Sequence, residues 1–200
     1  MTPNPLLFYA RHGETAWNIE GRLQGHRDSD LTALGRAQAV TCGEVLRDLL
    51  ARDGLAPASL DYVASPLGRA RATMERMRTT LGLEAGDYRT DARLAELAYG
   101  RWEGMTYAEL LAREPETLEA RERDKWNFVP PGGESYAQLL ARVAEWHVTV
   151  RRNSMVVAHG GTVRVLMVLH GIMAPEAAAS AEIEHGVLYV FGPHGMARYG

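Results

Sequence analysis

The chain has 200 residues, 46% of them hydrophobic, and a formal net charge of −3, which is typical of a soluble globular protein. The charge argues against a general nucleic-acid binder but does not exclude a local cationic pocket. The single cysteine, Cys42, excludes an internal disulfide and favours a reducing compartment. No apolar run is long enough to span a bilayer, and Leu6–Ala10 is too short for an export signal. We therefore expect a cytoplasmic protein that does not bind membranes.

Short apolar runs alternate with helix start signals along the chain. In chain order, the predicted elements are a strand at Leu6–Ala10, a helix from Thr32 to Gly54, a strand at Asp61–Ala64, a helix that begins at Ser65-Pro66, helices capped by Thr106 and by Ser135, a strand at Ser154–His159, a helix from Gly160 to about Gly171, and a strand at Val187–Phe191. This alternation predicts the α/β class: a three-layer α/β/α sandwich with a mostly parallel central sheet.

Two local predictions depend on proline and glycine. Ser65 is predicted to be an N-cap, because Pro66 follows it at a position that suits the first helical residue. The segment Tyr99–Glu134 is broken by prolines and glycines, so we predict an irregular, partly helical excursion above the sheet at about residues 99–134. No repeat and no linker divides the chain, and we expect residues 1–200 to form a single domain.

The first candidate site follows the first strand. Arg11-His12-Gly13 places an imidazole between a cation and a flexible turn. Arginine binds phosphate oxygens through its forked donors, and a neutral imidazole nitrogen can attack phosphorus. The motif is short, however, and a strand end with a solvated turn is the alternative.

The second candidate segment is Ser65–Arg71. It follows a predicted strand and begins a helix, and helix N-termini attract anions. Arg69 lies in the first turn, where a cation is unfavourable unless an anion binds. This conflict favours a phosphate-binding role, with an ordinary surface arginine as the alternative.

The third segment repeats the first arrangement. His159 ends an apolar strand, and Gly160-Gly161 begins a helix. Ligands of open parallel sheets bind at the carboxyl ends of the strands. His12 and His159 are therefore expected to meet in one crevice, although a single histidine in such a position would usually be structural.

The fourth segment contains two carboxylates, Glu96 and Glu103, in a glycine-broken aromatic stretch. Glu96 is flanked by apolar residues, which suits a proton donor. Either glutamate could instead be a solvated loop charge, and their spacing alone does not separate them.

The same segments also match a known family in order. The matches are Arg11-His12-Gly13-Glu14-Thr15 with Asn18; Asp30-Leu31-Thr32 with Gly35 and Gln38-Ala39; Ser65-Pro66 with Arg69-Ala70 and Thr73; Glu96 with Gly100, Trp102, Glu103 and Gly104; Pro131-Gly132-Gly133-Glu134-Ser135; and His159-Gly160-Gly161 with Arg164. Together they span nearly the whole chain. The sequence resembles the histidine phosphatase superfamily, which contains cofactor-dependent phosphoglycerate mutases and related small phosphatases.

The resemblance implies a phosphoglycerate mutase-like fold and a role for each matched residue. His12 matches the nucleophile that carries the phosphoryl group, Glu96 matches the general acid and base, and His159 completes the catalytic group by holding a phosphate oxygen. The matched phosphate-binding residues are Arg11, Asn18, Arg69 and Gly160. No metal and no other cofactor is expected, and the seven histidines show no H-x-x-x-H pair.

These roles predict how protons are held. The two arginines should keep His12 unprotonated near neutral pH, and a backbone carbonyl that accepts from its other ring nitrogen would fix the tautomer. We expect Glu96 to hold a proton mainly in the substrate complex, because a bound phosphate offsets the arginines.

Three functions are compatible with this site. We favour a phosphomonoester hydrolase that acts on a small phosphorylated metabolite through phosphohistidine. A cofactor-dependent phosphoglycerate mutase is the first alternative, but the basic residues of Arg121–Asn127 alternate with acids and offer no clear second anion site. A non-catalytic phospho-ligand binder is the second alternative, although every matched catalytic position is occupied.

Few sequence features bear on substrate specificity or on the oligomeric state. A set of apolar side chains could form a wall against the leaving group or belong to the core: Trp17, Leu23, Tyr99, Trp102 and Trp126. The segment Glu184-His185-Gly186 stands where many relatives have an asparagine. The sequence leaves the oligomeric state open, and a homodimer is one possibility.

Overall fold

The computed structural model describes residues 5–200. Within them, one sheet contains β1 (Leu7–Arg11), β2 (Asp61–Ala64), β3 (Arg89–Thr90), β4 (Ser154–Ala158), β5 (Leu188–Gly192) and β6 (Gly195–Tyr199). The strand order is β3-β2-β4-β1-β5-β6. Neighbouring strands from β3 to β1 pair in parallel, whereas β5 pairs antiparallel with β1 and with β6. The predicted mostly parallel sheet is confirmed.

Helices connect these strands. They are α1 (Ala16–Ile19), α2 (Ala33–Arg52), α3 (Gly68–Thr80), α4 (Tyr107–Arg113), α5 (Pro115–Arg123), α6 (Tyr136–His147), α7 (Gly160–Leu169) and α8 (Pro175–Ala178). Short 3-10 turns lie at Pro57–Ser59, Ala92–Leu94 and Gly100–Trp102. No helix in the described part of the chain is both long enough and apolar enough to cross a membrane.

Two hydrophobic cores lie on opposite faces of the sheet. Because strand side chains alternate, Leu7 and Tyr9 of β1 enter one core while Phe8 and Ala10 enter the other. Helices α6 and α7 cover the first core, and α2 and α3 cover the second. This arrangement is the predicted three-layer sandwich. Because the central strands β1 and β4 are covered on both faces, each is a continuous apolar run.

Three of the four predicted helix caps are formed. Thr32 Oγ1 accepts a hydrogen bond from Gly35 N at 2.9 Å, at the start of α2. Thr106 and Ser135 form the predicted capping boxes at the starts of α4 and α6. Each such cap stabilises its helix by about 1 kcal/mol.

The prediction that Ser65 caps α3 is wrong. Helix α3 begins at Gly68, and its first N–H groups donate to the carboxylate of Asp28, from Gly68 N at 2.8 Å and from Arg69 N at 3.3 Å. A distant side chain therefore provides this cap. The hydroxyl of Ser65 is directed instead to His159, at 2.7 Å.

Two strands were not predicted, and both lie at sheet edges. Strand β3 has only two residues, and both are exposed. Strand β6 pairs with β5 alone and carries a mixed polar and apolar sequence. Neither has the continuous apolar pattern that marked the central strands, because an edge strand is covered less completely.

The segment between Tyr99 and Glu134 contains α4, α5 and a 3-10 turn. It has a small core of its own, in which Trp102, Leu110 and Leu118 are buried. The segment is joined to the loop after α1, where Leu23 N donates to Met105 O at 2.9 Å and Gly104 N donates to Leu23 O at 2.7 Å.

Two glycines bring the turn after β1 against the start of α2. A Cβ at Gly35 would overlap the carbonyl oxygen of Glu14, and a Cβ at Gly13 would overlap the carbonyl oxygen of Gly35. The backbone that carries His12 therefore lies in direct contact with α2, and only glycine allows this approach.

This contact predicts that Gly35→Ala destabilises the fold. The added methyl group would push apart two backbone segments, and we expect the free energy of unfolding to fall by roughly 3 kcal/mol. Gly86→Ala is the matched control, because a Cβ at Gly86 meets no atom within 4 Å; it should leave stability unchanged or raise it by up to about 1 kcal/mol. Urea unfolding measures both, and equal stabilities of the two variants would contradict the close approach.

Candidate active site

The two predicted histidines meet at the carboxyl edge of the sheet. His12 follows β1 and His159 follows β4, and these strands are paired neighbours with Arg11 opposite Ala158. The ring centroids are 5.3 Å apart, and the exposed fractions are 2% for His12 and 0% for His159. The two histidines therefore lie side by side at this edge of the sheet.

A backbone hydrogen bond fixes the orientation of His12. Its Nδ1 lies 2.8 Å from the carbonyl oxygen of Gly13. A carbonyl can only accept, so Nδ1 carries the hydrogen of the neutral ring. Nε2 then holds the lone pair that a nucleophile needs.

The surroundings of both rings disfavour their charged forms. Burial lowers the pKa of His12 well below its usual value, and the nearby Arg11 and Arg69 guanidinium groups lower it further. Burial and Arg69 lower the pKa of His159 in the same direction. Both imidazoles are therefore neutral at neutral pH.

Backbone carbonyls hold the guanidinium groups of Arg11 and Arg69. Arg11 Nη1 donates to Ile183 O at 2.7 Å, and Arg69 Nη2 donates to Gly25 O at 2.8 Å. Arg69 also forms an ion pair with Asp28 at 2.8 Å. The Nε atoms of both arginines are buried and have no hydrogen-bond partner among the described residues. Buried donors of this kind are ready to bind an acceptor, such as an oxyanion.

The structure separates the two glutamates that spacing could not separate. The Glu96 carboxylate accepts from Leu97 N at 2.8 Å and from Gly161 N at 3.1 Å, at the start of α7, and it lines the same cavity as His12. Glu103 accepts from the backbone nitrogens of His26 and Tyr99 instead. Glu96 therefore faces the crevice, whereas Glu103 holds two loops together.

Asn18 and Gly160 complete the set of predicted residues. The Asn18 side-chain oxygen accepts from Thr15 N at 3.0 Å, which leaves the amide NH₂ group as the end available to a ligand. Gly160 is the first residue of α7, and a Cβ there would lie 3.7 Å from Arg11 Nε.

The predicted site residues line a cavity of about 120 Å³, except for His159, which is fully buried beside His12. The predicted residues in its lining are Arg11, His12, Asn18, Arg69, Glu96 and Gly160. The lining also includes residues to which the sequence analysis gave no phosphate-binding role: Arg22, Leu23, Gln24, Gly25, Tyr99 and Arg164. Arg164 belongs to the matched motif after His159, and Leu23 and Tyr99 belong to the candidate apolar wall, whereas nothing local marked Gln24.

His185 is a third imidazole beside His12. The ring centroids lie 5.5 Å apart, and His185 Nδ1 donates to the His12 carbonyl oxygen at 2.8 Å. Burial and the Arg11 charge lower the pKa of His185 to about 4. This histidine therefore supports the backbone of His12 as a neutral donor.

The aromatic wall is only partly formed. Trp102 and Trp126 are buried in hydrophobic cores, and Trp17 packs against the Arg27 guanidinium at 5.0 Å. Of that set, Leu23 and Tyr99 line the cavity.

Among residues 5–200, no group of three or more His, Cys, Asp or Glu side chains is placed to hold a metal ion.

Fold and site together define an α/β protein with a pair of neutral histidines in a cationic crevice. The sequence model of the histidine phosphatase superfamily (branch 1) matches residues 7–197. The chain therefore belongs to the histidine phosphatase superfamily, and it is an enzyme of that family.

Its relatives include both mutases and phosphatases. The chain is 32% identical to a 2,3-bisphosphoglycerate-dependent phosphoglycerate mutase of Gloeobacter violaceus, over 93% of this chain and 84% of that one. It is 36% identical to a glucosyl-3-phosphoglycerate phosphatase of Mycobacterium tuberculosis, over 80% of this chain and 72% of that one. A mycobacterial glucosyl-3-phosphoglycerate phosphatase solved with VO3 superposes with a TM-score of 0.78 at 28% identity and covers 98% of this chain and 97% of its own.

The neutral state of His12 can be tested without a substrate. Because its pKa lies well below the usual 6.5, the imidazole resonances of His12 should not shift between about pH 5.5 and 8. Nuclear magnetic resonance of ring-labelled protein, with His12 identified by its loss in His12→Ala, measures this. A titration midpoint at or above 6.5 would contradict the described environment.

Proposed function

We propose that this enzyme hydrolyses small phosphomonoesters through a phosphoryl group carried transiently on His12. The observation that supports this most is the Gly13 carbonyl 2.8 Å from His12 Nδ1, because it leaves the Nε2 lone pair for attack on phosphorus. A vanadium oxyanion, VO3, is present in the solved mycobacterial phosphatase, and an oxyanion of that kind fits the donors of the present crevice.

In the first step, His12 Nε2 forms a bond to phosphorus as the bond to the leaving oxygen breaks. Phosphoryl transfer depends mainly on positioning and on neutralising the charge of the equatorial oxygens. The buried Nε donors of Arg11 and Arg69 suit this role, with the Asn18 amide as a further donor and the Gly160 backbone beside them. His159 lies beside His12 and contributes to the same oxygen-binding group.

Glu96 moves the protons in our proposal. Protonated in the substrate complex, it gives its proton to the leaving oxygen, so the alcohol departs neutral. As a carboxylate it then takes a proton from the water that attacks phosphohistidine, and inorganic phosphate is released. Its two backbone donors hold it in the cavity through both steps.

The basic residues of Arg121–Asn127 favour a phosphatase over a mutase, because each of them is paired with an acidic side chain. Arg121 donates to Glu122 at 2.8 Å, Arg123 lies 3.5 Å from Glu119, and Lys125 lies 2.9 Å from Glu122. None of these basic groups appears in the lining of the crevice within residues 5–200. A mutase needs to hold a bisphosphorylated intermediate, and these cations are already paired.

The mutase remains the second candidate because of the 32% identity to the Gloeobacter enzyme over 93% of this chain. A non-catalytic binder is less well supported, because His12, Glu96, Arg11 and Arg69 all line one cavity. We also propose a cytoplasmic location, on the ground that Cys42 is free and buried.

The first test of this function compares initial rates for a panel of phosphomonoesters with the rate of 3- to 2-phosphoglycerate conversion. We expect phosphate release to dominate, and His12→Ala to reduce it by about 10⁴-fold or more. His194→Ala is the control, since His194 is exposed on the β5–β6 turn. Dominant isomerisation would favour the mutase, and full activity of His12→Ala would show that another group is the nucleophile.

The role of Glu96 predicts a dependence on the leaving group. In Glu96→Gln, kcat/KM for an alkyl phosphate should fall by about 10²–10⁴-fold, because the alkoxide needs a proton. For p-nitrophenyl phosphate the loss should be much smaller, since nitrophenolate leaves unprotonated. Glu103→Gln, which keeps an acceptor oxygen outside the cavity, is the matched control. Equal losses on both substrates in Glu96→Gln would contradict the acid role.

A further inference from the structure

Three buried nitrogens near the nucleophile have no hydrogen-bond partner among the described residues. They are Arg11 Nε, Arg69 Nε and His159 Nδ1. An arginine Nε always carries hydrogen, so the first two are donors whatever their surroundings. His159 Nδ1 is a donor in only one of the two neutral tautomers, and the group that selects this tautomer is therefore part of the site.

Ser65 is the side chain that contacts the other nitrogen of this ring. Its Oγ lies 2.7 Å from His159 Nε2, and both residues are completely buried. Two arrangements fit this distance: either the ring donates to the hydroxyl, or the hydroxyl donates to the ring.

The hydrogen bonds of Ser65 distinguish these arrangements. Leu67 N donates to the same hydroxyl oxygen at 3.3 Å, so Ser65 Oγ already acts as an acceptor. If the ring also donated to it, the hydroxyl hydrogen and the Nδ1 lone pair would both be buried without a hydrogen-bond partner among the described residues. If the hydroxyl donates to Nε2, both capacities of Ser65 are used.

We propose that Ser65 is a positioning residue that holds His159 in the tautomer with hydrogen on Nδ1, so that this neutral ring donates to the phosphoryl group. The inference rests on the proposed phosphatase function. It explains why Ser65 does not cap α3, which Asp28 caps instead. It also gives the crevice a third donor without adding a third buried cation beside Arg11 and Arg69.

The tautomer can be read directly from the imidazole ¹⁵N shifts of the resting enzyme, since protonated and unprotonated ring nitrogens resonate far apart. In the full-length protein, with His159 assigned by its loss in His159→Gln, we expect a protonated Nδ1 and an unprotonated Nε2. Ser65→Ala should convert this pattern into a mixture of tautomers or the opposite one. Ser154→Ala is the matched control: Ser154 is equally buried, and its hydroxyl donates to Arg152 O at 2.7 Å.

Inhibition provides the functional measurement, with vanadate and inorganic phosphate as probes. Loss of one hydrogen bond to a charged ligand predicts inhibition constants about 10- to 100-fold higher in Ser65→Ala. Ser154→Ala should match the wild type, and equal thermal midpoints of the two variants would exclude a general loss of stability as the cause.

Two results would overturn the inference: hydrogen on Nε2 of His159 in the wild type, or an unchanged tautomer and unchanged vanadate inhibition in Ser65→Ala. If Ser65→Ala does not fold, the wild-type spectrum still decides the tautomer. The spectrum requires no turnover, so absence of phosphatase activity would refute the proposed function without altering this measurement.

Discussion

The hydrogen bond between His12 Nδ1 and the Gly13 carbonyl, at 2.8 Å, determines which ring nitrogen can meet a phosphorus atom. The peptide groups on either side of the His12 Cα are themselves held in place. Gly13 N donates to Thr73 Oγ1 at 3.0 Å, His12 N donates to Ala158 O at 2.9 Å, and the His12 carbonyl accepts from His185. The peptide groups around the nucleophile are thus fixed by the sheet, by α3 and by the loop before β5.

Electrostatics and burial act on the site in the same direction. Burial removes water from the imidazoles, and two nearby guanidinium groups oppose their protonation. The same guanidinium groups are costly to bury unless an opposite charge accompanies them. Asp28 compensates Arg69, while the free Nε donors favour an anionic ligand. One set of charges therefore keeps the histidine nucleophilic and attracts the phosphate.

Much of this arrangement could be predicted from the sequence, because it depends on local signals. Central strands are apolar on both faces, and caps such as Thr32 and Ser135 act within one turn. His12 and His159 could be expected together, since parallel neighbours end at the same edge. The cap of α3 could not be predicted, because Asp28 reaches it from a distant loop. The edge strands β3 and β6 lack a continuous apolar pattern, because an edge strand is covered less completely than a central one.

The parts of the site that the sequence did not predict depend on side-chain contacts between distant segments. The spacing of Glu96 and Glu103 did not separate them, because their difference arises from which backbone N–H groups each one meets. The roles of Ser65 and His185 depend on contacts with His159 and with the His12 carbonyl, from far along the chain. In the irregular segment after Glu96, Trp102 and Trp126 are buried, and the sequence alone had also left open that they line the substrate site.

The most direct test of the central claim is mass spectrometry of the enzyme quenched in alkali during turnover, with the phosphorylated peptide sequenced. The account predicts a phosphoryl group on His12 that appears with substrate and disappears when substrate is exhausted. A phosphoryl group found repeatedly on another side chain, or no adduct while phosphate accumulates, would contradict it.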